Sequence, residues 1–128
     1  MGYAFEFERP APGGSFGLNT YQMGFVREIM REAGAAAGQG LQQALRMPGF
    51  EPGKRTVDME KFLSNSDWHV SAEEALFIAS RLRLAASEHL IAELMSFYDD
   101  APRDVGQWID DFARFNELSA THDGYRVR

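Results

Sequence analysis

Asn65-Ser66-Asp67-Trp68-His69-Val70-Ser71-Ala72-Glu73-Glu74 sets a polar, aromatic, histidine-containing turn directly against the start of a helix. Ser71 and Glu74 stand three apart ahead of an apolar-periodic run, the spacing of a capping box. In that motif the serine hydroxyl accepts from the first-turn backbone while the glutamate reaches back to the cap. Beyond it Ala75, Ile78, Ala79 and Leu82 recur on one helical face, widened by Leu76 and Phe77. Ser87 is placed to cap a second helix carrying Leu90, Ile91, Leu94 and Met95. Asp99-Asp100-Ala101-Pro102 breaks the chain and opens a third, in which Val105, Trp108, Ile109, Phe112 and Phe115 keep helical intervals. Proline suits a first turn, and acids there complement the helix dipole. Gly124 offers a stop, after which Tyr125-Arg126-Val127 reads as a closing strand.

Toward the N-terminus the period changes. Tyr3 to Glu8 alternate apolar and polar, the signature of a half-buried strand, and Pro10, Pro12, Gly13 and Gly14 end it in a loop. Gly13-Gly14-Ser15-Phe16-Gly17 reads as a turn, since it has neither the lysine of a phosphate-binding loop nor G-x-G-x-x-G spacing. Asn19 or Thr20 can cap a helix whose stripe is Phe25, Val26, Ile29, Met30 and Ala33, opposed by Arg27, Glu28, Arg31 and Glu32. From Ala33 to Gly40 the glycines weaken helix continuation, which predicts a frayed end or mobile loop. Leu41 to Met47 suggest a short helix closed by Pro48-Gly49. Residues 48–56 read as an exposed loop within a single domain spanning 1–128, and Val57 to Leu63 suit a short strand or a helical turn. The expected fold is α+β and predominantly helical, with four to five helices. A short N-terminal strand and a C-terminal strand would pair in a small sheet.

Forty-five per cent hydrophobic residues, including ten Phe, four Tyr and two Trp, suffice for a core without disulfides or metal at this chain length. Cysteine is absent, which removes thiol nucleophiles and thiolate metal sites. Glu6, Glu8 and Arg9 interrupt any apolar leader, and the apolar runs fall short of the roughly 20 residues a membrane helix needs. The expectation is a soluble cytoplasmic protein with no membrane partner. Eleven Arg against two Lys, with abundant Ala and Gly, suggest a GC-rich bacterial genome.

Charge is uneven. Residues 58–123 hold fourteen acidic and five basic side chains, within a chain of net charge −6. A nucleic-acid binder draws affinity from a basic face, so DNA and RNA are not expected partners and a basic protein surface is. The bland alternative is a solvated acidic surface that only aids solubility.

The residues that could carry chemistry are few. His69, His89 and His122 show no metalloprotease spacing; Asp67 lies near His69 and Asp123 beside His122, compatible with polarised imidazoles or with ordinary surface histidines. Glu73-Glu74, Asp99-Asp100 and Asp110-Asp111 are sequence neighbours, which diverge by about 100° on a helix rather than converging on a site. No nucleophile elbow surrounds any serine. No catalytic residue, metal or cofactor is therefore assigned, and the chain reads as lacking a catalytic kit. Trp108 falls on an apolar helix face and reads as core. Trp68 either anchors its loop or lines a recognition surface, where tryptophan is enriched. Asn65, Asp67, Trp68 and His69 are the candidate binding residues.

Lys61 to Val70 with the following Glu73-to-Leu82 helix, Asp111 to Asn116 leading to His122-Asp123-Gly124-Tyr125-Arg126-Val127, and Leu18 to Gly24 resemble a group of short, functionally uncharacterised proteins from GC-rich bacteria. The resemblance covers under half the chain. It implies one intact domain and carries over no reaction and no site residue. Two functions stay open. One is a non-enzymatic interaction module whose acidic C-terminal half takes a basic partner, with an immunity- or antitoxin-like role as one concrete version, or a milder form that self-associates. The other is a small-molecule-binding or enzymatic domain with a pocket near Trp68 and His69.

Overall fold

The computed structural model describes residues 2–41, 55–64 and 66–128. It is an α+β fold in which a four-stranded antiparallel sheet is covered on one face by helices. The strands are β1 (Gly2–Phe7), β2 (Ser15–Asn19), β5 (Trp68–Val70) and β6 (Tyr125–Val127), in the order β2-β1-β6-β5. The helices are α1 (Thr20–Glu32), α2 (Ala72–Ser87), the short α3 (Leu90–Met95) and α4 (Val105–Ser119). A two-stranded parallel pair, β3 (Ala36–Ala37) with β4 (Val57–Asp58), lies apart from the main sheet.

The terminal strands pair as their patterns suggest. Phe5 faces Val127, Glu6 faces Arg126 and Phe7 faces Tyr125. Alternation sends Phe5, Phe7, Tyr125, Val127 and Val70 into the core and leaves Glu6, Glu8, Arg126 and His69 on the other face. Inside, Phe5 stacks among Phe16, Phe112, Phe115 and Tyr125, with ring centroids 5.3–6.2 Å apart. The Tyr125 hydroxyl is fully buried and donates to Asn116 Oδ1 at 2.8 Å, while Asn116 Nδ2 donates to the Phe112 carbonyl. Burial pushes the Tyr125 phenol far above its ordinary range, so it stays a donor.

Two of the predicted helix starts are built as capping boxes. Asn19 Oδ1 accepts from the Gln22 N–H while the Gln22 side chain accepts from the Asn19 N–H. Ser71 and Glu74 do the same ahead of α2.

Several expectations need correction. The Gly13–Gly17 segment is only partly a turn: from Ser15 it becomes β2 and pairs along β1 from Gly2↔Asn19 to Glu6↔Ser15. The Ala33–Gly40 segment is no frayed end. Ala33, Ala35, Ala36 and Ala37 are buried, the Thr56 hydroxyl lies 2.9 Å from the Gly34 carbonyl oxygen and 2.7 Å from that of Ala35, and Arg81 Nε donates to Ala33. Small side chains let this backbone sit inside the fold. Ser87 caps nothing, because α2 runs through it and its hydroxyl donates to the Leu84 carbonyl; His89, with φ 60°, makes the break before α3. Val57 to Leu63 is strand and then a 3-10 turn. Of the expected 41–47 helix and 48–56 loop, residues 42–54 lie outside the described residues.

Gly124 is the hinge of the closing strand. It has φ +84°, and an added Cβ would collide with the Val70 carbonyl oxygen and approach Ser71 C to 2.8 Å. Only glycine meets both demands there. Through this contact the turn before β6 lies directly on the cap of α2.

Candidate functional site

Trp68 and His69 belong to an edge strand of the sheet, not to a loop, and Asp67 immediately precedes that strand, while Asn65 lies outside the described residues. Asp67 takes a left-handed conformation (φ 65°), and its N–H donates to the Val127 carbonyl, which starts β5. Trp68 then pairs with Val127 and His69 with Arg126. This register separates the candidates. Trp68 shares the core-facing side with Val127, at the sheet's margin, where it is 37 % exposed and its indole N–H donates to Ser64 Oγ. Asp67 and His69 emerge on the opposite face.

That face is a ladder of internal charge pairs. Arg126 donates to both Glu8 oxygens, at 2.7 and 3.3 Å, and Arg128 donates to Asp67 Oδ1 at 2.9 Å and to Glu6. The hydrogen bond from Arg126 holds Glu8 below the usual carboxylate range, and Arg128 does the same for Asp67. Reciprocally, Glu8 raises the Arg126 guanidinium and Asp67 raises that of Arg128. His69 Nε2 lies 3.2 Å from the Asp123 carbonyl oxygen and 3.9 Å from Glu8 Oε2. Lys61 ties the ladder's lower end to α2, donating to the His69 carbonyl and to both Glu74 oxygens. Burial pushes the Glu74 carboxyl up, but Lys61 and Ser71 outweigh it and hold it below its ordinary value. His122 stacks on Phe7 at 4.7 Å, consistent with a packing role.

Among the described residues no group of three His, Asp or Glu side chains stands where a metal ion would need them. Nor is a helix among them long and apolar enough to cross a membrane. A depression of about 500 Å³ lies between α3 and α4, against Ala86, Ile91, Met95 and Val105, with His89 and Arg103 beside them.

A second surface was not singled out by the sequence. Tyr21 and Phe25 of α1, Tyr98 after α3 and Trp108 of α4 meet edge to face, with centroids 5.2–6.4 Å apart. Trp108 is half-buried here rather than core, and Tyr21 is 59 % exposed. Glu28 closes the cluster by accepting from the Tyr98 hydroxyl, which raises the Tyr98 phenol above its ordinary value. The signal that could have revealed half of it is the Tyr21-Gly24-Phe25-Glu28 stripe at helical spacing, beside the buried stripe Met23-Val26-Ile29-Met30.

Compared with known proteins, the chain matches no family model, no curated protein and no solved structure.

Proposed function

We propose that this protein is a non-enzymatic interaction module whose acidic second half takes a basic protein partner, an immunity- or antitoxin-like neutralising role being its concrete form. One observation carries the reading: the way the acids are spent. On the sheet face, Glu6, Glu8 and Asp67 are consumed by Arg126 and Arg128. On the helical side, Arg83 and Arg114 take up Asp110 and Glu117. Glu73, Glu88, Asp99, Asp100 and Asp104 enter none of the ion pairs among the described residues, so their charge faces outward. Uncompensated carboxylates beside exposed aromatic rings favour and steer a cationic protein surface, since charge complementarity speeds encounter and aromatic rings supply the anchors.

The alternative, a small-molecule or catalytic pocket near Trp68 and His69, has less support, because these two side chains leave β5 on opposite faces and the acids and bases around His69 are already paired with one another. Self-association is the milder alternative.

The test is affinity capture with tagged protein from lysate of its source organism at low and high salt, followed by titration of the purified candidate. A basic protein released as salt rises, and lost by Asp99→Asn/Asp100→Asn/Asp104→Asn at unchanged thermal stability, is the expected result. Retention of that partner by the triple variant would sink the reading.

A further inference from the structure

Resting on that reading, we infer that the groove between Tyr21 of α1 and Tyr98 after α3 is the docking slot for an exposed arginine of the protein partner. The groove, about 320 Å³, is lined by Thr20, Tyr21, Gly24, Phe25, Glu28 and Tyr98. Its floor is Gly24, where an added Cβ would meet no atom within 4 Å. Packing therefore gives no reason for a glycine in mid-helix, where glycine disfavours the helix relative to alanine. A bare floor does suit close approach of a flat group to the backbone.

The walls suit the same group. Tyr21 meets Phe25 and Phe25 meets Tyr98 edge to face, at 80° and 70°, so the groove is walled by aromatic rings, which offer faces as well as edges. A guanidinium is planar, weakly hydrated and stacks on such faces. At the closed end stands Glu28. Its Oε2 accepts from Tyr98, and its Oε1 is 3.9 Å from Arg31 Nη2, too far for a hydrogen bond, so that oxygen keeps its capacity to accept from an incoming N–H. Asp99 and Asp100 follow Tyr98 directly and add negative potential at the mouth. The chain already makes this kind of contact within itself: the Arg27 guanidinium lies 5.6 Å over the Tyr3 ring and donates to the Phe62 carbonyl. An ammonium offers neither the plane nor the fork, so lysine fits the slot less well.

The experiment uses the full chain carrying Trp68→Phe, which leaves Trp108 as the single indole reporter beside the groove. Acetylated tetra-arginine amide and its tetra-lysine counterpart are titrated at low salt, followed by fluorescence and calorimetry. The expected result is a saturable Trp108 response to the arginine peptide, with the lysine peptide about tenfold weaker or worse. Gly24→Leu, which fills the floor, and Tyr21→Ala, which removes an exposed ring, each weaken the arginine peptide by about tenfold while thermal unfolding stays cooperative. Two variants guard against a folding artefact in one. Equal affinity for both peptides, unmoved by Gly24→Leu and Tyr21→Ala, would overturn the slot and leave a diffuse acidic binding face, with the basic-partner reading intact. Binding of neither peptide even at low salt would overturn both.

Discussion

The outward face of the sheet and the α1–α4 side of the molecule both present charge at the surface, yet they are built on opposite terms. On the sheet, Glu8 with Arg126 and Asp67 with Arg128 close on one another across three strands, and Lys61 closes on Glu74. On the helical side, Asp99, Asp100 and Asp104 have no such cation among the described residues, and the four aromatic rings Tyr21, Phe25, Tyr98 and Trp108 stand half in solvent. The two glycines make the same contrast. Gly124 is demanded by the fold, through its positive φ and the Val70 carbonyl against it, whereas nothing packed around Gly24 demands it. Surface that is internally satisfied holds the fold together. Surface left unsatisfied at some cost in stability is where a partner has room to act.

The largest effect lies on the satisfied side. Gly124→Ala forces a Cβ into the Val70 carbonyl at a left-handed backbone position, and the expected loss is about 3 kcal/mol in urea unfolding. A loss below about 1 kcal/mol would mean that the β6 turn is not clamped on the α2 cap. Next comes Tyr125→Phe, which leaves Asn116 Oδ1 buried without its donor and costs about 1–2 kcal/mol. Adding Asn116→Leu to that variant tests the pair: the double change should cost less than the two single changes summed.

How far the sequence foretold each region follows from how local the physics is. The helix cap at Asn19, the capping box at Ser71 and the alternation of Tyr3 to Glu8 live within a few residues, and the structure builds all three. β2 and β5 were missed because their signals are tertiary. Gly14 and Gly17 disguise the former as a turn, and the latter is three residues held by pairing with β6. The buried Ala33–Ala37 stretch reads as weak helix because its stabilisation comes from Thr56 and Arg81, both far along the chain. The candidate site failed in a similar way. Asp67, Trp68 and His69 are adjacent in sequence, but a strand sends neighbours to opposite faces. The aromatic cluster gathers residues 21, 25, 98 and 108, which no single window contains.

A smaller effect, of opposite sign, belongs to the unsatisfied side. Gly24→Ala places a methyl where no atom lies within 4 Å and removes the helix penalty of glycine, so it should stabilise the free protein by about 0.5–1 kcal/mol. Destabilisation instead would show that Gly24 serves the fold, and the contrast between the two glycines would be lost.

The smallest effect separates the two sets of carboxylates by pH. Glu8 and Asp67 are held below their ordinary values of 4.5 and 3.8 in the folded protein, first by the hydrogen bonds from Arg126 and Arg128. A carboxyl depressed on folding contributes stability that is fully present above its unfolded value and is lost as pH falls through its folded value. Glu8→Gln/Asp67→Asn should therefore be less stable than the parent at neutral pH. The two stability curves should draw together as pH drops below about 4.5 and merge once the parent carboxyls are protonated. Added salt should shrink the neutral-pH difference, because these pairs are exposed. Asp99→Asn/Asp100→Asn/Asp104→Asn should show the reverse: no loss at neutral pH, since no cation is left unpaired and like-charge repulsion is relieved. Urea unfolding at several pH values checks both variants together. A neutral-pH loss in the triple variant matching that of the sheet variant would mean that the helical-side acids are already engaged within the fold, and the two regions would no longer differ.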